Sequence, residues 1–321
     1  MKKINLTKKA ILPAIIAVIC SVVALTSVSY AWFSLGDSAT VETINVNVVA
    51  TDSIQISADG SKYSGILSVN DLKASALTRN QFPTESIAPM STAGNVDADG
   101  FLEMFKGTID EADSSKITTV KQAEGDSEAN FIAFDIYVKL DEINVFQLAA
   151  GSSVVLNPSS TINSHVAARV GFIVLGHVAD ETQIDTLTGD TYTVPTDAKA
   201  VIWEPNSTIH VDKAGAIDDT NTAAQSYFGV SGASSSAFVA NADGDYTDAV
   251  NTLKPAQDTD GKTSAAADLF ELAAGVTKIR VYIWVEGQDA DCINEIAGGL
   301  FDVNLMFSLT KPATSEPGEN A

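Results

Sequence analysis

Four stretches of the chain alternate apolar and polar residues with a period of two, the spacing that turns one face of a β-strand inward. In 41–50, Ile44, Val46 and Val48 share one side, with Asn45 and Asn47 on the other. Ile132, Phe134, Ile136, Val138 and Leu140 alternate with Phe131, Ala133, Asp135, Tyr137 and Lys139. Ile279, Val281, Ile283 and Val285 oppose Lys278, Arg280, Tyr282 and Trp284. Phe301, Val303, Leu305, Phe307 and Leu309 oppose Asp302, Asn304 and Ser308. A further run, 166–175, is apolar on both sides, as a central strand is. Shorter strand candidates lie at 53–57, 145–156, 192–194 and 200–203.

Helical composition is confined to 69–78 and 264–274. In the latter, Leu269 and Leu272 are spaced for one helical face and Gly275 stands at the C-cap position. One short helical turn is predicted at 290–296. Between the strands, 88–100, 108–130 and 212–263 are rich in Asp, Ser, Gly, Thr and Ala. They read as insertions too polar to make a second core of their own. Strands without alternating long helices disfavour a parallel α/β sheet. The pattern predicts an all-β fold: a jelly-roll-like antiparallel β-sandwich with long acidic loop insertions and one or two short helices.

The first 33 residues follow another rule. Lys2, Lys3, Lys8 and Lys9 precede an apolar run from Ala10 to Leu25, and Ser29 and Ala31 place small residues at the −3 and −1 positions of a signal-peptidase site before Trp32. The same segment, uncharged from Ala10 to Phe33, also suits an uncleaved anchor spanning a bilayer at residues 10–33. Either way the body is expected to be extracellular or at the cell surface. Ile19 before Cys20 does not fit a lipoprotein site, and no prepilin pattern is present. The domain reading is therefore 1–31 as signal peptide or anchor, 32–310 as a single sandwich with insertions, and 311–321 as a disordered polar tail.

Charge sharpens this division. The chain carries 19 Lys+Arg and 41 Asp+Glu, a net charge of −22. Four of the lysines and none of the acids precede residue 32, so the body carries −26. Such a body has no electrostatic hold on a phosphate backbone, and nucleic acid is excluded as a partner. With 45% hydrophobic residues the chain is not disordered as a whole. Cys292 is the single cysteine of the body, so no internal disulfide framework exists.

Catalytic chemistry finds little footing. His165, His177 and His210 form no HExxH pair. The nearest approach to a nucleophile elbow, Gly229 to Ala233, has Ala233 where Gly is needed, and reads as a Ser/Gly loop. We expect no enzyme and no cofactor, with one metal candidate. Asn95, Asp97 and Asp99, followed by Gly100, match the first half of a calcium loop, although Lys106 occupies the place of the bidentate acid. Asp258 to Gly261 and Asn241 to Asp245 are shorter echoes, and Asp-Gly is also an ordinary turn dipeptide. Trp203 to Asn206 and Tyr282 to Trp284 offer aromatics for either a carbohydrate platform or the interior.

The junction Val28-Ser29-Tyr30-Ala31-Trp32-Phe33-Ser34, after a Lys-rich apolar leader and before an alternating strand, resembles that of the TasA/camelysin group of Gram-positive exported proteins. The resemblance covers roughly residues 1–57. It implies processing by a signal peptidase of the SipW type, a jelly-roll body and, for TasA itself, assembly into extracellular matrix fibres. This chain departs from the group in its longer body and large acidic insertions, and it has no zinc motif to support a protease role. The expected function is an exported, non-catalytic structural protein of the cell surface or biofilm matrix. Self-association would use Ile44, Val46 and Val48 as a donated strand. The alternative is a membrane-anchored monomeric binding protein or adhesin.

Overall fold

A computed structural model describes residues 45–50, 54–75, 79–83, 87–109, 117–122, 130–188, 194–196, 198–218, 251–258, 260–287, 289 and 291–313. For residues 45–47, 93, 107–109, 117–122 and 251–252 this holds for the backbone alone. Among the described residues the strands are, in order, β1 (Asn45–Ala50), β2 (Gln55–Ser57), β3 (Ile66–Ser68), β4 (Ser91–Val96) and β5 (Leu102–Ile109). There follow β6 (Ile117–Gln122), β7 (Ile132–Leu140), β8 (Asn144–Leu148), β9 (Ser153–Leu156) and β10 (Ala168–Val178). The rest are β11 (Val201–Trp203), β12 (Asn251–Leu253), β13 (Ala267–Leu272), β14 (Gly275–Val285) and β15 (Phe301–Thr310). Two short helices, α1 (Val69–Ala74) and α2 (Asp185–Thr188), follow β3 and β10.

The strands form an all-β sandwich. The first sheet runs β13-β8-β15-β1-β3, with β9 also paired to β15; the second runs β12-β11-β10-β14-β7-β2. The chain changes sheet at most connections, a jelly-roll habit. Pairing is largely antiparallel, but β1 lies parallel to β15 and β12 parallel to β11. The expected central strand at 166–175 is β10, flanked by β11 and β14. The segment 145–156 holds two strands, β8 and β9, both on β15.

The alternating residues do what their period requires. Ile132, Phe134, Ile136 and Val138 from β7 and Ile279, Val281 and Ile283 from β14 meet Val303, Leu305 and Phe307 from β15 in one buried cluster. Phe307 ties the two sheets together. It stacks on Phe146 of its own sheet at 4.6 Å between centroids and meets Phe172 of the other edge-on at 6.1 Å.

Two expectations are corrected. The segment 264–274 is not a helix but β13, and Gly275 opens β14 at φ +122° rather than capping a helix. A bulge between Asp268 and Phe270 shifts the register, so Leu269 and Leu272, three apart, both turn inward; the bulge imitates helical spacing. The loop expected at 88–100 contains β4, and 108–130 contains β6; with β5, which the pattern did not reveal, they form a three-stranded outer sheet. A second core exists, but the insertions do not make it on their own. Met90, Leu102 and Met104 pack on Phe131, Ile173, Leu175, Ile202, Tyr282 and Trp284, because the outer face of the second sheet supplies most of its apolar surface.

We expect Phe307→Ala to remove about 3–5 kcal/mol of stability, read by denaturant unfolding, because both sheets lose the same ring. A loss no larger than that of an exposed substitution would contradict the inter-sheet role.

Candidate functional site

The most distinctive arrangement is the setting of β1. It occupies an interior position in the first sheet, parallel to β15 from Asn45 opposite Asp302 to Ala50 opposite Phe307. On its other side it is antiparallel to β3, with Val48 opposite Leu67 and Val49 opposite Ile66. Val48 is fully buried in the sandwich core, as its place in the alternating pattern predicts. Val46 lies opposite Val303 in the ladder; its side chain, like Ile44 and the junction residues Ser29, Ala31 and Trp32, lies outside the described residues. β15 gives its opposite edge to β9 and β8 in succession, so β1 alone completes the side toward β3.

The free side of β3 is chemically closed. Ser64 Oγ donates to Ile66 O at 2.5 Å and accepts from Ile66 N at 3.3 Å. At the start of α1, Asp71 Oδ2 accepts from both Ser68 N at 2.7 Å and Ser68 Oγ at 2.6 Å, a capping box that occupies the next amide. Polar groups that a further strand would need are thus spent on local side chains.

A second arrangement lies on the outer face of the second sheet, where charged residues expected beside solvent are enclosed. Asp135 is fully buried between Arg280, 2.6 Å from Oδ1, and Lys278, 3.0 Å from Oδ2. Arg280 also donates to Arg79 O at 2.5 Å, and Lys278 to Leu187 O at 3.0 Å. Burial pushes the Asp135 carboxyl up, but the two cations outweigh it and hold it below its ordinary range. Burial pulls the Lys278 amine down, with Asp135 opposing.

Farther along the same face, Arg169 is completely buried, 2.5 Å from Asp289 and 3.2 Å from Glu204. Lys254 reaches Glu204 at 3.3 Å, and Trp284 Nε1 donates to Glu286 at 3.1 Å. Asp291 holds His210 Nδ1 at 2.8 Å and accepts from Val211 N at 2.9 Å. The sequence carried a trace of this cluster that the pattern reading did not use: Arg169 is a lone charge within an apolar central strand, and such a charge demands a buried partner.

No family model, no curated protein and no solved structure matches this chain.

The other sequence candidates fall into simple roles. Asp97 Oδ1 accepts from Asp99 N at 3.0 Å and Phe101 N at 2.9 Å, closing the turn between β4 and β5, while Gly100 adopts φ +84°. Asn95 Nδ2 reaches Glu103 at 3.4 Å. Asn95, Asp97 and Asp99 thus share one hairpin end, and among the described residues no group of three or more His, Cys, Asp or Glu could hold a metal. Asp258 repeats the turn-closing role, accepting from Asp260 N and Lys262 N. Asn241 to Asp245 and Gly229 to Ala233 lie outside the described residues. Trp203, Tyr282 and Trp284 are fully buried, so these aromatics serve the interior rather than a carbohydrate platform. His165 is buried, and that burial alone lowers it to about 4; His177 Nδ1 lies 3.1 Å from Thr277 Oγ1. Among the described residues no helix is long and apolar enough to cross a membrane; the apolar leader is outside them.

Two outcomes follow. Asp135→Ala leaves two buried cations uncompensated and lowers stability by about 3–5 kcal/mol, whereas Lys278→Met, which keeps the Arg280 pair, costs less; equal losses in chemical denaturation would deny the triad. Asp97→Ala lowers stability by about 1 kcal/mol, equally with and without millimolar Ca²⁺. A loss that appears only with calcium would give the loop an ion instead of a turn-closing role.

Proposed function

We propose that this chain is an exported, non-catalytic structural protein of the cell surface or matrix, assembling by donation of its N-terminal strand. The observation that carries the reading is the position of β1: a strand from the start of the described chain fills an interior slot of a sheet. Withdrawing it exposes main-chain groups along β15 and opens the core at Val48. Such a slot takes back its own strand or an equivalent one from a neighbouring copy, with the same ladder and the same inward pocket. The closed edge of β3 disfavours growth beyond that strand. The leader preceding this strand, with its Ser29-Tyr30-Ala31 junction, supports export, and the resemblance to the TasA/camelysin group supports the matrix role.

Charge sets the conditions. Subunits carrying −26 repel one another, so assembly is favoured by salt, divalent cations or mild acid.

A disulfide that pins β1 at home provides the test. Val49 and Ile66 stand opposite each other in the antiparallel pair, and both are outside the core. A protein starting at Trp32 with Val49→Cys and Ile66→Cys has Cys292 as its only other thiol, and that one is fully buried. Negative-stain microscopy in added salt should show filaments from the unmodified protein and the reduced variant, and none from the oxidised variant. Filaments from the oxidised form would eliminate strand donation. A purified body that stays monomeric under all these conditions would leave the anchored monomeric surface protein as the function.

A further inference from the structure

After β2 the chain leaves the second sheet, crosses the edge of the first as β3 and α1, and then returns to the second. Its outgoing root is the bridge between Ile56 of β2 and Ser64, in which Ile56 N donates to Ser64 O at 2.9 Å and Ser64 N to Ile56 O at 2.8 Å. Tyr63 strengthens this root by packing against the cluster of Tyr137, Val178, Leu187 and Val276. The returning root is Gln81, which exchanges main-chain bonds with Ala133 of β7 at 2.6 and 3.0 Å. Beside it Asn80 Oδ1 accepts from Asp135 N at 3.0 Å, and Asn80 Nδ2 donates to Leu72 O at 3.2 Å. Phe82 stacks on Phe134 of β7 at 6.0 Å between centroids.

The stretch between these roots, residues 65–75, holds the edge of the first sheet by a short contact. Gly65 O accepts from Ala50 N at 2.8 Å, and Ile66, Leu67 and Ser68 stand opposite Val49, Val48 and Asn47. On its other side β1 is paired with β15 over its whole length, from Asn45 to Ala50. The apolar attachment of the stretch is through Leu67 and Leu72, both buried in the main core, while Ile66 is 64% exposed. A cleft of about 420 Å³ adjoins it, with Lys62, Tyr63, Leu67, Asp71 and Ala74 among its walls, so packing around the stretch is incomplete. A short ladder, few buried anchors and an adjoining cleft are the properties of a segment that opens more easily than the sheets it touches.

We propose that residues 65–75 are a strap that gates β1: the strap lifts from the edge of the first sheet while both roots stay on the second, and this lifting lets β1 leave its slot. β1 lies between β15 and the strap. β15 is backed by β8 and β9 on its far edge and by its inward residues in the core, so moving it aside opens the whole sandwich. β3 has no strand behind it among the described residues. Lifting the strap breaks the β3 ladder and withdraws Leu67 and Leu72, but it leaves the β15 ladder and the second sheet standing. β1 is then an edge strand, paired with β15 alone. The capping box between Ser68 and Asp71 fastens α1 to the end of β3, so strand and helix lift as one body. Use of the opened slot for assembly rests on the strand-donation reading; the gating of β1 does not.

Hydrogen exchange read by mass spectrometry, on protein starting at Trp32 at low salt, tests the strap. Leu72→Ala removes a buried strap anchor, and Ile173→Ala, in the second core, weakens the fold elsewhere as a control. In Leu72→Ala the amides of β1 and β3 should exchange at least about tenfold faster than in the unmodified protein, while those of β7 and β14 keep their rates. Unchanged β1 exchange, or a rise shared equally by β7 and β14, would overturn the strap. So would a selective rise at β1 in Ile173→Ala, because any loss of stability would then free the strand. If Leu72→Ala does not fold, Ser68→Ala, which removes the capping hydroxyl, is judged by the same criteria with a rise of about threefold. Added salt supplies a separate arm: the strap variant should form filaments after a shorter lag than the unmodified protein. Faster β1 exchange with no filaments from either protein upholds the strap and rejects strand donation.

Discussion

A strand in the interior of a sheet must have partners on both sides, because main-chain donors and acceptors buried without them are strongly unfavourable. In this protein that requirement falls on β15. One of its edges is divided between β9 and β8, and the other belongs wholly to β1. The inward residues of β15, from Phe301 to Phe307, form the floor of the main core. An open edge on this strand would expose backbone and core together. The demand for a six-residue strand at this place underlies both the monomer's integrity and its proposed capacity to join another copy.

The second sheet answers a different demand. Its strands β7, β10 and β14 are buried on both faces, one against the first sheet and one beneath β4, β5 and α2. Enclosing an outer face that carries Asp135, Arg169, Lys278 and Arg280 requires every charge to be matched. The two clusters solve this with opposite excesses. Around Asp135 two cations face one carboxylate, which holds that carboxylate firmly ionised. Around Arg169 the carboxylates of Asp289 and Glu204 face one guanidinium, and Lys254 reaches Glu204 from the half-exposed side. The same sheet thus contains two buried ionic fastenings of opposite composition.

On the surface, mild acid lowers the repulsion between chains that each carry −26 outside the leader, which is the condition the proposed assembly requires.

The period-two segments at 132–140, 276–285 and 301–309 were legible from the chain alone, as was the central place of β10. Facing is a local property: successive side chains of a strand point to opposite sides whatever the partner. The pattern also marked Val48 as an inward residue. What lies over a face is not local. The outward series Asp135, Tyr137, Lys278 and Arg280 looks like a solvated surface until the outer sheet and α2 cover it, and the bulge in β13 made two inward leucines look helical. The partnership of Asn45 with Asp302, from opposite ends of the chain, leaves no mark in either segment. The sequence by itself determined an all-β protein with these strands and these inward faces. Tertiary structure alone decided that β1 fills the slot beside β15 and that Asp289 shares its burial with Arg169 and three other carboxylates, because pairing and enclosure depend on contacts between distant segments.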